Sequence, residues 1–130
     1  MAATVTLNAE QTLPADGYAG ALAGRVWLPQ VAGPAVAVVR DAALYDISAL
    51  TPTMRDLAEA SDPGEIVRGG KGPLIAPLAE VLANTPEAVR DDRRPWLLVP
   101  IDLQAIKAAG VTFAQSLLER VIEERARGSR

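Results

Sequence analysis

The run Ala35-Val-Ala-Val-Val-Arg40 constrains the fold more than any other feature of this chain. It ends at Asp41-Ala42, and a second apolar stretch, Leu44-Tyr-Asp-Ile-Ser48, follows at once. Two such runs across a tight polar connection predict a β-hairpin over residues 35–48, and the remaining elements have to be arranged around it. Aromatic residues make up only 4% of the chain, so the core around this hairpin must be built from Ala, Val, Leu and Ile.

Upstream, Thr4–Leu7 and Arg25-Val-Trp-Leu-Pro29 are further strand candidates, the second closed by its proline. Asn8–Gly20, with Pro14, Asp16 and two glycines, reads as a loop, and Gln30–Pro34 as a turn. Downstream the pattern changes to helical. Thr51 can cap and Pro52 can occupy the first position of a helix whose apolar face is Met54, Leu57 and Ala58. Ser61-Asp-Pro-Gly is a break, Ile66–Arg68 at most one turn, and Gly69–Pro73 another break. A further helix fits Ile75–Ala83, with Leu74, Leu78, Val81 and Leu82 packed inward and Pro77 in its first turn. Thr85–Arg94 is polar and carries Asp91-Asp92-Arg93-Arg94, the expected boundary between a front unit, residues 1–94, and a second unit, residues 95–130. Trp96–Val99 is a buried strand candidate. Segregated strands and helices predict an α+β fold, with a small strand-rich N-terminal unit and two or three helices.

Length and composition remove several function classes. A chain of 130 residues supports one domain with a real core and is short for two. The net charge of −3, with eleven Arg and two Lys spread along the chain, makes no case for nucleic acid. No apolar run approaches the roughly 18 residues of a membrane span, and no signal-peptide layout opens the sequence, so no membrane association and a cytoplasmic location are expected. The chain has neither Cys nor His. That removes thiolate chemistry, Ser-His-Asp hydrolysis and the usual zinc sites, and leaves carboxylates, hydroxyls, Lys and Arg to carry any reaction.

Three motifs invite a functional reading. Gly69-Gly70-Lys71-Gly72 lacks the spacing of a phosphate loop and any hydroxyl residue after the lysine, and reads as a connecting loop. Asp91–Arg94 reads as a solvated linker. The third lies at Gly110-Val-Thr-Phe-Ala-Gln-Ser116-Leu-Leu-Glu119, where an apolar run reaches a glycine and opens a helix. If residues 112–126 are helical, Phe113, Leu117, Leu118, Val121 and Ile122 form a buried stripe, and Ser116, Glu119 and Glu123 share another face. Spacing alone favours an ordinary solvated face, with Arg120–Glu124 and Glu123–Arg127 as ion pairs.

The order of these pieces changes that balance. "LYDIS", "LTPTMRDLAEA", "PLAEVLA", the "WLLVPID" run and an apolar-Gly-x-x-aromatic entry into a helix together resemble the fumarylacetoacetate hydrolase superfamily over most of residues 24–127. Familiar members carry Gly-x-Asn-Tyr-x-x-His-x-x-Glu in this stretch. Here Gly110 matches the glycine and Glu119 the glutamate, while Thr112, Phe113 and Ser116 stand in the Asn, Tyr and His places.

Ser116 cannot act as the family's water-activating base. The sequence looks more like the branch that dehydrates 2-keto-3-deoxy sugar acids. The resemblance implies Glu119 as the catalytic acid/base, with Gly110, Thr112, Phe113 and Ser116 at the substrate. It further implies a small 2-keto acid as that substrate, Mg²⁺ or Mn²⁺ in the full-length protein, and a homo-oligomer. In the family a divalent ion on the keto and carboxylate oxygens acidifies the C3 proton, and a carboxylate manages loss of the C4 hydroxyl.

The family's metal ligands, a Glu-x-Glu pair and a later Asp, lie in its large C-terminal β-rich domain, and no Glu-x-Glu occurs here. Residues 95–130 are accordingly expected to be the first strand and helix of a truncated catalytic domain, without metal ligands and inactive alone. The resemblance also implies a strand over Leu103–Ala109, against the helical propensity of Ala-Ile-Lys-Ala-Ala. The competing expectation is a non-enzymatic α+β module whose last helix serves packing or self-association.

Overall fold

A computed structural model describes residues 5–110 and 114–128, without the side chains of 114–117. Strands β1 (Leu22–Leu28), β2 (Gly33–Arg40), β3 (Ala43–Asp46), β4 (Leu74–Pro77) and β5 (Trp96–Leu98) form one antiparallel sheet in the order β4-β3-β2-β1-β5. Helices α1 (Ala9–Thr12), α2 (Met54–Glu59), α3 (Pro63–Gly69), α4 (Leu78–Ala83) and α5 (Ala114–Arg127) complete the elements, with short 3₁₀ turns at Pro29–Val31 and Glu87–Val89. The fold is α+β. No helix among the described residues is long and apolar enough to cross a membrane.

The expected hairpin is the centre of the sheet. Arg40 pairs with Ala43, and the intervening Asp41 and Ala42 have φ of 50° and 61°. Two left-handed central residues make the connection whose twist suits flanking strands, although neither is the glycine that adopts it most readily. The run that made β2 conspicuous is apolar from Ala35 to Val39 because both of its faces are covered. Ala35 and Ala37 point into a core with Val26, Leu28 and Leu44, roofed by Leu78, Val81 and Leu82 of α4. Val36 and Val38 point the other way, into a core with Ile47, Met54 and Leu57 of α2 and Val67 of α3. Alternate side chains of one strand serve opposite faces, so helices lie on both sides of the sheet.

Several local expectations are corrected. Thr53, not Thr51, caps α2: its Oγ1 accepts from the Asp56 amide at 3.0 Å while the Asp56 carboxylate accepts from the Thr53 amide at 3.2 Å. Thr51 is buried, and its amide donates to Ile47 O at 3.1 Å, closing the turn after β3. Asp62-Pro63 opens a helix where a break was expected, with Asp62 accepting from the Glu65 amide at 2.9 Å and Pro63 in the first turn.

The expected helix 75–83 is split. Its first residues belong to β4, which pairs with β3, and Leu74 is exposed. Val5–Leu7 form no strand, though Leu7 packs against the first core, and Thr4 lies outside the described residues. A short helix, α1, sits within the expected loop, capped by Asn8 accepting from the Gln11 amide at 2.9 Å.

The polar stretch before β5 is fastened from beneath. Buried Asn84 donates to the carbonyls of Asp91, Arg94 and Pro95 at 3.0–3.1 Å and accepts from the Asp91 amide at 2.7 Å. Thr85 Oγ1 accepts from the Leu97 amide at 2.9 Å. Trp96 stacks on Trp27 at 5.7 Å, and Arg90 lies over the Trp96 ring at 4.8 Å. The sheet therefore runs across position 94, with β5 as its edge strand.

Candidate functional site

The segment that carries the candidate residues leaves the sheet at the end of β5. Val99 and Ile101 are exposed, and the chain then turns back so that Asp102 reaches the N-terminus of α2. Asp102 Oδ2 accepts from the Met54 amide at 2.8 Å, and Oδ1 accepts from the Arg55 amide at 3.1 Å and the Leu103 amide at 2.6 Å. Arg25 of β1 stands 3.7 Å away, and the Asp102 side chain is only 11% exposed. Gln104 braces the turn, its Oε1 accepting from the Asp102 amide at 2.9 Å and its Nε2 donating to Pro100 O at 3.3 Å.

Burial pushes the Asp102 carboxyl up, but the three amides and the Arg25 guanidinium together outweigh it. The group therefore ionises below the ordinary carboxylate value. Its partners on α2 lie 47 and 48 residues upstream, and such a contact leaves no spacing signal in a sequence.

Beyond Asp102 the expected strand 103–109 does not form. Residues 105–110 are exposed and irregular, and Leu103 and Ile106 face outward. A strand there would need a neighbour to satisfy its amides and carbonyls, and no described strand pairs with it. Gly110 is in open space, where an added Cβ would meet nothing within 4 Å. Thr112 and Phe113 lie outside the described residues.

The expected helix is present as α5. Glu119 is on it and exposed; Ser116 lies one turn earlier, with its side chain outside the described set. The expected buried stripe is corrected where it can be read: Leu118, Val121 and Ile122 are exposed. Phe113 lies outside the described residues, and so does the side chain of Leu117. The physical reason is in the sheet, both of whose faces are already roofed by other helices. The structure thus puts Gly110, Ser116 and Glu119 in order along one segment, and brings no enclosing wall of described side chains to Glu119.

Among the described residues no three carboxylates converge as hard-cation ligands. Asp102 spends both oxygens on amides. Asp91 is engaged with Arg93 at 3.0 Å, whose guanidinium and amide hold its carboxyl down to about 2. The described residues do not fit a Mg²⁺ or Mn²⁺ centre. Comparison with family models, with curated proteins and with solved structures finds no match.

Proposed function

We propose that this chain is the N-terminal part of a fumarylacetoacetate-hydrolase-fold enzyme acting on a 2-keto acid, as a dehydratase of a 2-keto-3-deoxy sugar acid or as a C–C bond hydrolase. The observation that carries the reading is the ordered set Gly110, Thr112, Phe113, Ser116 and Glu119 at the entry to a helix. It is supported by α5 forming over Ala114–Arg127 with Glu119 exposed on it.

In this reading Glu119 moves the proton. As a carboxylate it accepts one from substrate carbon or water; as the acid it returns one to a departing hydroxyl or carbon. Ser116 and Thr112 have hydroxyls that donate or accept hydrogen bonds, which suits orienting substrate oxygens and not abstracting a proton at neutral pH. A divalent cation, when bound, would stabilise negative charge on the keto acid, and its ligands would come from residues outside this chain.

In the full-length enzyme, Glu119→Gln is expected to preserve folding while lowering turnover by ~10²–10⁴-fold. Turnover near wild type would return Glu119 to an ordinary solvated face. A second reading, a non-enzymatic α+β module, is favoured by one observation, the exposed Leu118, Val121 and Ile122 on α5. Concentration-dependent association, lost on replacing those three residues by polar ones, together with no 2-keto acid turnover, would select it.

A further inference from the structure

Gly24 lies in the interior of β1, opposite Ala37 of β2. Alternation places it on the same face as Val26 and Leu28, beneath α4. Glycine weakens a strand, and where it occurs in one it commonly marks a bulge, a tight bend, or a close approach of another backbone or a ligand. The protein's own structure accounts for none of the first three. The pairs from Leu22↔Val39 to Leu28↔Gly33 run without a register shift. Gly24 is not among the described residues with positive φ. A Cβ built on it would meet Leu97 Cδ1 at 3.6 Å, an ordinary contact, and no described backbone atom within 4 Å.

Above Gly24, between the sheet and α4, is a cavity of about 130 Å³. Leu22, Val39 and Leu44 of the sheet, Leu97 of β5, and Leu78 and Leu82 of α4 wall it. Gly24, Leu44, Leu78 and Leu82 are buried. Thr12 and Pro14, at the end of α1, are the exposed members of the lining, and half-buried Leu13 lies between them. The cavity therefore meets solvent beside α1. No side chain that lines it is charged, and the Thr12 hydroxyl is the only polar group among those side chains. A water held inside a protein needs about two to four polar partners, whereas an apolar cavity of about 150 Å³ with similar walls takes up benzene or xenon.

We propose that this cavity is a binding site for a small uncharged hydrocarbon of about benzene's size, which enters beside Leu13 and seats over Gly24. The leucine and valine walls supply dispersion contacts and take the ligand's surface out of water. They offer no partner to a charge, and burying an unpaired charge is costly. Gly24 makes the room: valine suits a strand better, and its methyl groups would enter the space the ligand needs.

The probe is benzene, titrated into the 130-residue chain with its Leu, Val and Ile methyls labelled for NMR. Saturable shifts are expected at Leu44, Leu78, Leu82 and Leu97, with the exposed Leu118, Val121 and Ile122 of α5 unmoved. Gly24→Val should keep the dispersed methyl spectrum of a folded protein and weaken benzene at least about tenfold. Hexanoate, an apolar chain with a charged end, should bind at least about tenfold more weakly than benzene.

The absence of saturable shifts at the four cavity leucines would overturn the site. Equal shifts on α5 would overturn it too, since they mark loose adhesion to any exposed apolar surface. Undiminished binding in Gly24→Val would show that the ligand does not sit over Gly24 and would sink the proposal. Hexanoate binding as tightly as benzene would overturn the assignment to uncharged ligands. Should Gly24→Val fail to fold, Gly24→Ala adds a single methyl at ordinary contact distance. It must then weaken benzene at least about threefold, and unchanged affinity overturns the proposal.

Discussion

Val36 and Leu118 are both aliphatic residues in regular elements, yet Val36 is 1% exposed and Leu118 is 62% exposed. The same contrast separates two regions. From Leu22 to Leu98 the sheet has a helix waiting on each face, and small aliphatic side chains are buried in two opposed cores. After Leu98, apolar residues such as Val99, Leu103, Ile106 and Ile122 face outward although their types are no less hydrophobic. Periodicity selects an element and its apolar side. Burial needs a second surface of matching shape, and a sheet whose two faces are occupied has none left to offer.

The sharpest way to break this comparison is a pair of equal truncations. Leu44→Ala, at a fully buried position of the central hairpin, is expected to cost ~2–5 kcal/mol in chemical denaturation. Leu118→Ala should change stability by no more than about 0.5 kcal/mol. A cost above ~2 kcal/mol at Leu118 would mean that α5 is packed in solution, and the two regions would no longer differ in kind.

Gly72→Ala probes the front region through its backbone. An added Cβ there would collide with the Asp46 carbonyl oxygen, beside the Asp46 amide's bond to Pro73 O at 2.9 Å. The expected cost is ~1–3 kcal/mol, the range for overpacking that must be relieved by backbone movement. An unfolding midpoint equal to wild type would show that the β3–β4 connection is looser than the close approach implies.

The contact between Asp102 and the first turn of α2 has a pH signature. Asp102 is depressed in the folded state, so the unfolded chain takes up its proton first as pH falls. The stability that Asp102 contributes is therefore fully present above the unfolded carboxylate value of about 3.9, and is lost as pH falls through the lower folded value. The stability gap between wild type and Asp102→Asn should be constant from about pH 5 to 7 and shrink steadily below about pH 4. A gap that widened on acidification would contradict the bonding described for Asp102.

The smallest expected effect is a gain. Ala42 has φ of 61° in the hairpin turn, and Ala42→Gly should stabilise the fold by ~1 kcal/mol by removing the Cβ clash of the left-handed region. A loss of stability would mean that the greater freedom of glycine in the unfolded chain outweighs the relieved strain.

What was legible in the residues follows local physics. The 35–48 hairpin could be read because β-forming residues flank a two-residue connection, and α5 because an apolar period of three to four residues follows Gly110. Other elements were misplaced where two local answers were nearly equal. Thr51 and Thr53 are both able caps, but the first is committed elsewhere, its amide donating to Ile47 O and its hydroxyl to Thr53 O. Leu74–Pro77 could have begun a helix, and pairing with β3 makes it a strand. Of the candidate site, the order Gly110, Ser116, Glu119 on one helical entry was legible, and Asp102 was not, since its bonds depend on residues 47 and 48 positions away.

The sequence by itself determined the α+β class, the central hairpin, the aliphatic composition of the core and the restriction of any chemistry to carboxylates, hydroxyls, Lys and Arg. These follow from side-chain type and from spacings of a few residues, which act before the chain is folded. Tertiary structure alone decided that β2 is covered on both faces, that Asn84 and Thr85 carry β5 to the edge of the same sheet, and that Asp102 reaches the first amides of α2. Each of these depends on which distant surface supplies a hydrogen-bond partner or an apolar face. That is settled only when the whole chain packs, because the free energy of burial and of a satisfied polar group belongs to the pair and not to either residue.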